Sequence, residues 1–150
     1  MPRICVDDLG LWNFLGVFGF HACRGGIVAT VLIIDDDELM RTFLVESFQE
    51  RGWDVRSAQN GSLGVDAYIE THTDLVITDL FMPEKDGVEV ARALIKHDPK
   101  VKIIAMSGGD SAGGRKDVLE VIEDFGVRKT FGKPFKITEV LAAADALVAE

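Results

Sequence analysis

"VLIIDDDE" (residues 31–38) is the stretch that decides the fold. Val31 to Ile34 form an apolar run short enough for a strand and apolar enough to be covered on both faces, as strands of a parallel sheet are. The run ends directly in Asp35, Asp36, Asp37 and Glu38. Like charges at that density repel each other and resist burial, so a neutralising group is required. Asp37 and Glu38 have an ordinary role open to them, at the start of a following helix. Asp35 and Asp36 stand at the carboxyl end of the strand, where open α/β sheets bind their ligands.

The same alternation continues outward. Residues 38–51 carry Leu39, Phe43, Leu44 and Phe48 at helical spacing, and Gly52 stops that helix. "WDVRS" (53–57) alternates as a strand does, and "SLGVDAYIET" (62–71) is a weaker helix with an internal glycine. "DLVITD" (74–79) is a second buried strand. Residues 87–97 put Val88, Ala91, Leu94 and Ile95 on one helical face, closed by Asp98-Pro99. "VKIIAMS" (101–107) is a strand, followed by a glycine-rich loop (108–114) and a helix at 115–125 with Val118, Ile122 and Phe125. "VRKTFG" (127–132) is a short strand, and Thr138 is placed to cap a last helix with Val140, Leu141, Ala144 and Leu147 on its face. Five strand–helix units imply a doubly wound α/β fold, a parallel sheet with right-handed crossovers and helices on both faces.

The 150 residues amount to one domain, and 47% hydrophobic with 27% charged residues describe a folded chain. A net charge of −9 argues against direct binding of nucleic acid or anionic lipid. Cys5 and Cys23 lack a metal-ligand spacing, and His21, His72 and His97 are scattered surface or boundary residues. "LGLWNFLGVFGF" (9–20) is too short to span a membrane, and Asp7 and Asp8 precede it where a signal peptide carries positive charge. A cytoplasmic protein is expected.

Chemistry-bearing residues collect at strand ends. Asp35 and Asp36 follow the first strand, Asp79 ends the third, Ser107 the fourth, and Lys133 follows the fifth. If the first and third strands are neighbours, three carboxylates share one mouth, flanked by a hydroxyl and an ammonium. Such a set suits a hard divalent cation, Mg²⁺ when few protein ligands and a phosphate share the site. The lysine can hold a phosphoryl oxygen as a point charge. Each residue alone has a bland explanation: a helix cap, a solvated lysine, and turn chemistry for Asp86-Gly87. The set is what those explanations account for poorly.

"LIIDDDE", "VITDLFMPEKDG", "IIAMSGG" and "FGKPF" resemble the response-regulator receiver domain of two-component signalling, over residues 29–150. The resemblance implies a flavodoxin-like five-stranded sheet in the order 2-1-3-4-5. It implies that Asp79 is the phosphoryl acceptor. Asp36 and Asp79 would bind Mg²⁺ through side chains and Phe81 through its carbonyl, with Asp35 acting mainly through water. Ser107 and Lys133 fill the family's hydroxyl and lysine positions, and Lys133-Pro134 becomes a candidate cis bond. The implied partners are a sensor histidine kinase or a histidine phosphotransfer protein, and an unknown downstream effector read through the fourth helix, fifth strand and fifth helix. The protein would be a signalling phosphoacceptor that catalyses its own phosphotransfer and dephosphorylation, rather than a conventional enzyme. With the chain ending after the fifth helix, a stand-alone receiver is expected.

Departures are visible. The family often has an aromatic switch residue three places before the lysine; here it is Thr130, with Phe131 beside it. The switch is therefore expected to involve chiefly Ser107 and the glycine-rich loop, helped by Phe131. Phe81 and Gly109 occupy positions that help admit the hydrolytic water in the family, so the rate of dephosphorylation does not carry over. Residues 1–28 match nothing in the family. "RGG" (24–26) can be encoded by a purine-rich run like a ribosome-binding site, and Val28 by a GTG start codon, so translation is expected to begin at Val28; the competing reading is a real amphipathic or membrane-touching arm over residues 1–27.

Two alternatives use the same residues. In a haloacid-dehalogenase-like phosphatase, Asp35 and Asp37 form a D-x-D after the strand. That scheme needs another acidic pair at a strand end after the lysine, where only Glu139, Asp145 and Glu150 follow, and it leaves Asp79 without a role. A pseudo-receiver, an interaction module that never takes phosphate, would not need Asp35, Asp36, Asp79 and Lys133 intact.

Overall fold

The structure, a computed structural model, describes residues 28–82, 85–108 and 121–150. Five strands are resolved: β1 (Thr30–Ile34), β2 (Asp54–Ala58), β3 (Leu75–Asp79), β4 (Ile103–Ser107) and β5 (Lys129–Gly132). Helices α1 (Glu38–Glu50), α2 (Gly61–Glu70) and α3 (Gly87–His97) join the first four, and a C-terminal helix spans Ile137–Val148. Residues 121–124 are also helical. All four strand pairs are parallel, and the order is β2-β1-β3-β4-β5. The order reverses direction between β1 and β3, so the mouth between their carboxyl ends is the topological switch point.

The sheet divides the core in two. Leu32, Ile34, Val76, Ile103 and Ala105 point to one face, packed with Val65 and Tyr68 of α2 and with Val90, Ala91 and Leu94 of α3. Val31, Ile33, Leu75, Ile77, Ile104 and Met106 point to the other, against Leu44 and Phe48 of α1 and against Val140 and Ala144 of the C-terminal helix. Every residue of β3 and β4 is buried, as the uninterrupted apolar runs require.

Local chemistry sets the boundaries. Asp37, Asn60 and Asp86 cap α1, α2 and α3 through side-chain oxygens that accept backbone N–H groups. Gly52, after α1, has φ +92°, which a side chain would resist. Three expectations need correction. Only Leu44 and Phe48 of the α1 set are buried; Leu39 is 83% exposed and Phe43 46%, because α1 touches the sheet through one narrow stripe. Thr138 lies inside the C-terminal helix, whose N-cap is Lys136, with no side-chain hydrogen bond. Val90, absent from the expected α3 face, is fully buried, while Val88 and Ile95 are only partly so. The glycine-rich loop, most of the helix expected at 115–125 and the start at Val28 concern residues that lie largely outside those described.

Candidate functional site

The acidic run after β1 splits into four different environments. Asp35 is fully buried, and its Oδ1 accepts the Asp37 N–H at 2.9 Å. Asp36 is exposed at the rim. Asp37 accepts the N–H groups of Leu39 and Met40 as the cap of α1. Glu38 occupies the first turn, where the helix dipole favours an acid. Arg41, one turn on, donates to the Asp35 carbonyl at 2.8 Å and holds the turn in place.

Asp79, at the end of β3, is 6% exposed. Its Oδ1 accepts the Phe81 N–H at 3.2 Å. Carboxylate oxygens of Asp35, Asp36 and Asp79 lie within 4.8 Å of one another, the one such grouping of three or more metal-ligating side chains among the described residues. Lys133 crosses from β5 to reach them. Its Nζ lies 3.0 Å from Asp79 Oδ2 and 3.2 Å from Asp35 Oδ2. The stem of that lysine runs over Gly108, where a Cβ would come within 2.8 Å of Lys133 Cδ. The Lys133-Pro134 peptide bond is cis.

Electrostatics follow from this packing. Burial pushes the Asp35 carboxyl above its ordinary range; the Asp37 N–H and the Lys133 ammonium pull against that, and the Asp79 charge adds to it. Burial also works against the Lys133 ammonium, but hydrogen bonds and charge from Asp79 and Asp35 outweigh it and raise its pKa. The lysine thus meets part of the repulsion that the sequence raised. One ammonium facing three carboxylates leaves a net negative pocket built of hard oxygen donors, which fits a small divalent cation. Ser107 Oγ, buried at the end of β4, has no hydrogen-bond partner among the described residues.

The structure therefore brings Asp35, Asp36, Asp79 and Lys133 together, with Phe81 joined to Asp79 through its backbone N–H. Glu139 pairs with Lys136 and Asp145 with Arg51, both on the C-terminal helix, so neither supplies the second acidic pair that the phosphatase scheme needs. Sequence reasoning missed Arg41, Gly87 and Gly108. A Cβ on Gly87 would stand 2.2 Å from the Asp79 carbonyl oxygen, so Asp86-Gly87 is more than turn chemistry: the glycine lets α3 press against the acid-bearing strand end.

A model of the response regulator receiver domain matches residues 31–145. The chain is 35% identical to the chemotaxis protein CheY of Thermotoga maritima over 77% of its own length and 93% of that protein's. It is 31% identical to the sporulation initiation phosphotransferase F of Bacillus subtilis, over 73% of this chain and 86% of that one. Among solved structures, a response regulator receiver domain protein from Clostridium thermocellum superposes with a TM-score of 0.75 at 23% identity, covering 81% of this chain and 95% of that one. A doubly wound sheet with acids at its switch point defines a class of α/β proteins that bind ligands beyond their strand ends. Within that class, this chain belongs to the response regulator receiver domain family of two-component systems.

Proposed function

We propose that this chain accepts a phosphoryl group on Asp79 in a Mg²⁺-dependent reaction and thereby switches the binding of a partner. The carrying observation is the contact of Lys133 Nζ with Asp79 Oδ2 and Asp35 Oδ2, beside three converging carboxylates. Asp35, Asp36 and Asp79, with the Phe81 carbonyl, would hold Mg²⁺. When bound, the ion supplies positive charge against the phosphoryl oxygens.

The chain's own residues do the rest. A carboxylate oxygen of Asp79 attacks phosphorus in line. The P–N bond of a phosphohistidine breaks, and its electron pair stays with the departing imidazole. Lys133 holds one equatorial oxygen, taking the phosphoryl group in place of a carboxylate. Ser107 Oγ donates to another. That new bond biases the segment that follows β4 and so the surface beyond it.

The donor is a sensor histidine kinase or a histidine phosphotransfer protein. Leu39 and Phe43, one turn apart on α1 and exposed, give such a partner an apolar strip close to the acids. The effector that reads the switch is a separate partner in this proposal. A cytoplasmic location is consistent with the absence of any helix, among the described residues, long and apolar enough to cross a membrane.

The switch differs from the aromatic type. Thr130 pairs with Ala105 and faces the α2–α3 side, where its Oγ1 donates to Glu123 at 2.8 Å. Phe131 pairs with Met106 and packs on the opposite face, so it cannot substitute for a ring at Thr130. Incubation with acetyl phosphate and Mg²⁺ should add one phosphoryl mass, and chelating the metal should abolish it. Equal labelling with and without Mg²⁺ would sink the proposal.

A further inference from the structure

Two of the three histidines, far apart in sequence, meet in space. His72, between α2 and β3, and His97, the last residue of α3, bring their Nε2 atoms to 3.4 Å. Their rings are nearly perpendicular, at 83°, with centroids 5.5 Å apart. The spacing is longer than that of a strong hydrogen bond. It matches two donors on one tetrahedral ion, because bonds of about 2.0–2.1 Å at the tetrahedral angle separate the nitrogens by about 3.3–3.4 Å.

The pair is held from behind. Tyr68, only 2% exposed, stacks on His72 with centroids 4.7 Å apart and planes 10° from parallel. Its hydroxyl donates to Asp98 Oδ2 at 2.8 Å, and Asp98 Oδ1 accepts the Lys100 N–H at 2.9 Å. One imidazole therefore lies on a pinned aromatic platform, and the other is carried by the last turn of a regular helix. Asp98 contributes a negative charge beside both rings. The stacking fixes the plane of the His72 ring, and the Asp98 charge favours a cation near the pair.

We propose that His72 and His97 form a binding site for a divalent transition ion of the Zn²⁺, Ni²⁺ or Cu²⁺ class, at the amino-terminal end of the parallel strands, the end opposite the carboxylate pocket. Imidazole nitrogen suits these ions, whereas Mg²⁺ prefers oxygen. His72 precedes β3 and Asp79 ends it, so extended chain of about 16 Å separates the two sites. No third His, Cys, Asp or Glu donor joins the pair among the described residues. Water, or a donor from another molecule, completes the shell, which makes the affinity modest and wholly dependent on both rings.

The test is calorimetric titration of the full chain with ZnCl₂ in excess Mg²⁺, which keeps the carboxylates occupied. The proposal expects one Zn²⁺ equivalent whose affinity falls at least tenfold in His72→Ala and in His97→Ala. It expects the same component to persist in a Cys5→Ser, Cys23→Ser, His21→Ala variant, which removes the other soft ligands of the chain. Both targeted histidines are exposed, so their variants should keep the wild-type circular dichroism and Mg²⁺ response. Zn²⁺ should also shift the imidazole NMR signals of His72 and His97 in the wild type. No Mg²⁺-resistant Zn²⁺ binding, binding unchanged by either histidine substitution, or binding lost only in the cysteine variant would each overturn the site.

Discussion

Gly87→Ala is the substitution with the most definite consequence. The new Cβ would lie 2.2 Å from the Asp79 carbonyl oxygen and 2.6 Å from Leu80 Cα, both backbone atoms that cannot rotate away. Ordinary contact begins near 3.4 Å, so α3 or the end of β3 must move by roughly 1 Å. Two short hydrogen bonds oppose that shift: Leu80 N to Met106 O at 2.8 Å and Gly87 N to Leu80 O at 2.9 Å. Forcing a group into close packing costs about 1–3 kcal/mol, occasionally more, and alanine's helix preference returns at most about 1 kcal/mol. A net loss of about 2 kcal/mol is expected, or a fall in Tm of about 5–10 °C. Gly132→Ala is the control, since a Cβ there meets nothing within 4 Å. It should change stability by less than about 0.5 kcal/mol. Urea unfolding of both variants, followed by circular dichroism, measures the contrast. The displaced backbone carries Asp79, so Mg²⁺ affinity should fall as well. A Gly87→Ala protein as stable as the Gly132→Ala control would refute the close-packing account.

Other outcomes follow from the site. Burial raises the Asp35 pKa in the fold above the ordinary carboxylate range, so its protonated form is favoured. Its stabilising contribution is full below the unfolded pKa and lost as pH rises through the folded one, leaving ionised Asp35 a cost at neutral pH. Without metal, Asp35→Asn should therefore be more stable than wild type at pH 7, with the gap closing in acid; a destabilised variant at pH 7 would contradict this. Mg²⁺ should raise the wild-type unfolding midpoint with saturation and do so far less in Asp36→Ala, as thermal scans with and without the ion would show. Ser107→Ala removes a hydroxyl with no partner among the described residues, so stability should change little, while beryllofluoride should bind at least tenfold more weakly by titration. Thr130→Val breaks the exposed bond to Glu123 and should cost under about 1 kcal/mol, yet alter amide exchange at 121–126; unchanged exchange would remove Thr130 from the switch.

Much of this architecture was readable from residue order. The apolar runs of β1, β3 and β4 end in Asp35, Asp79 and Ser107, and a strand with both faces covered leaves its end residues at the sheet's mouth. The limits of α3 were legible, residues 87–97 closed by Asp98-Pro99, although Asp86, read as turn chemistry, proves to be its N-cap. Periodicity failed on α1, because Leu39 and Phe43 continue an apolar spacing beyond the stripe that the sheet can cover. Gly87 and Gly108 read in the sequence only as turn and loop glycines, since their close-packing need comes from the Asp79 backbone and the Lys133 stem crossing them. The His72–His97 pairing was invisible for the same reason: 25 residues separate them, and only the return of the chain through β3 and α3 closes the gap.

The central claim is that Asp79 carries the phosphoryl group, and borohydride trapping tests it most directly. Reduction of an aspartyl phosphate yields homoserine at the modified position. After treatment with acetyl phosphate and Mg²⁺, peptide sequencing should find homoserine at residue 79, and an Asp79→Asn protein should give none. Homoserine at Asp35 or Asp36 instead, or acid-labile phosphate that persists at wild-type yield in Asp79→Asn, would contradict the account.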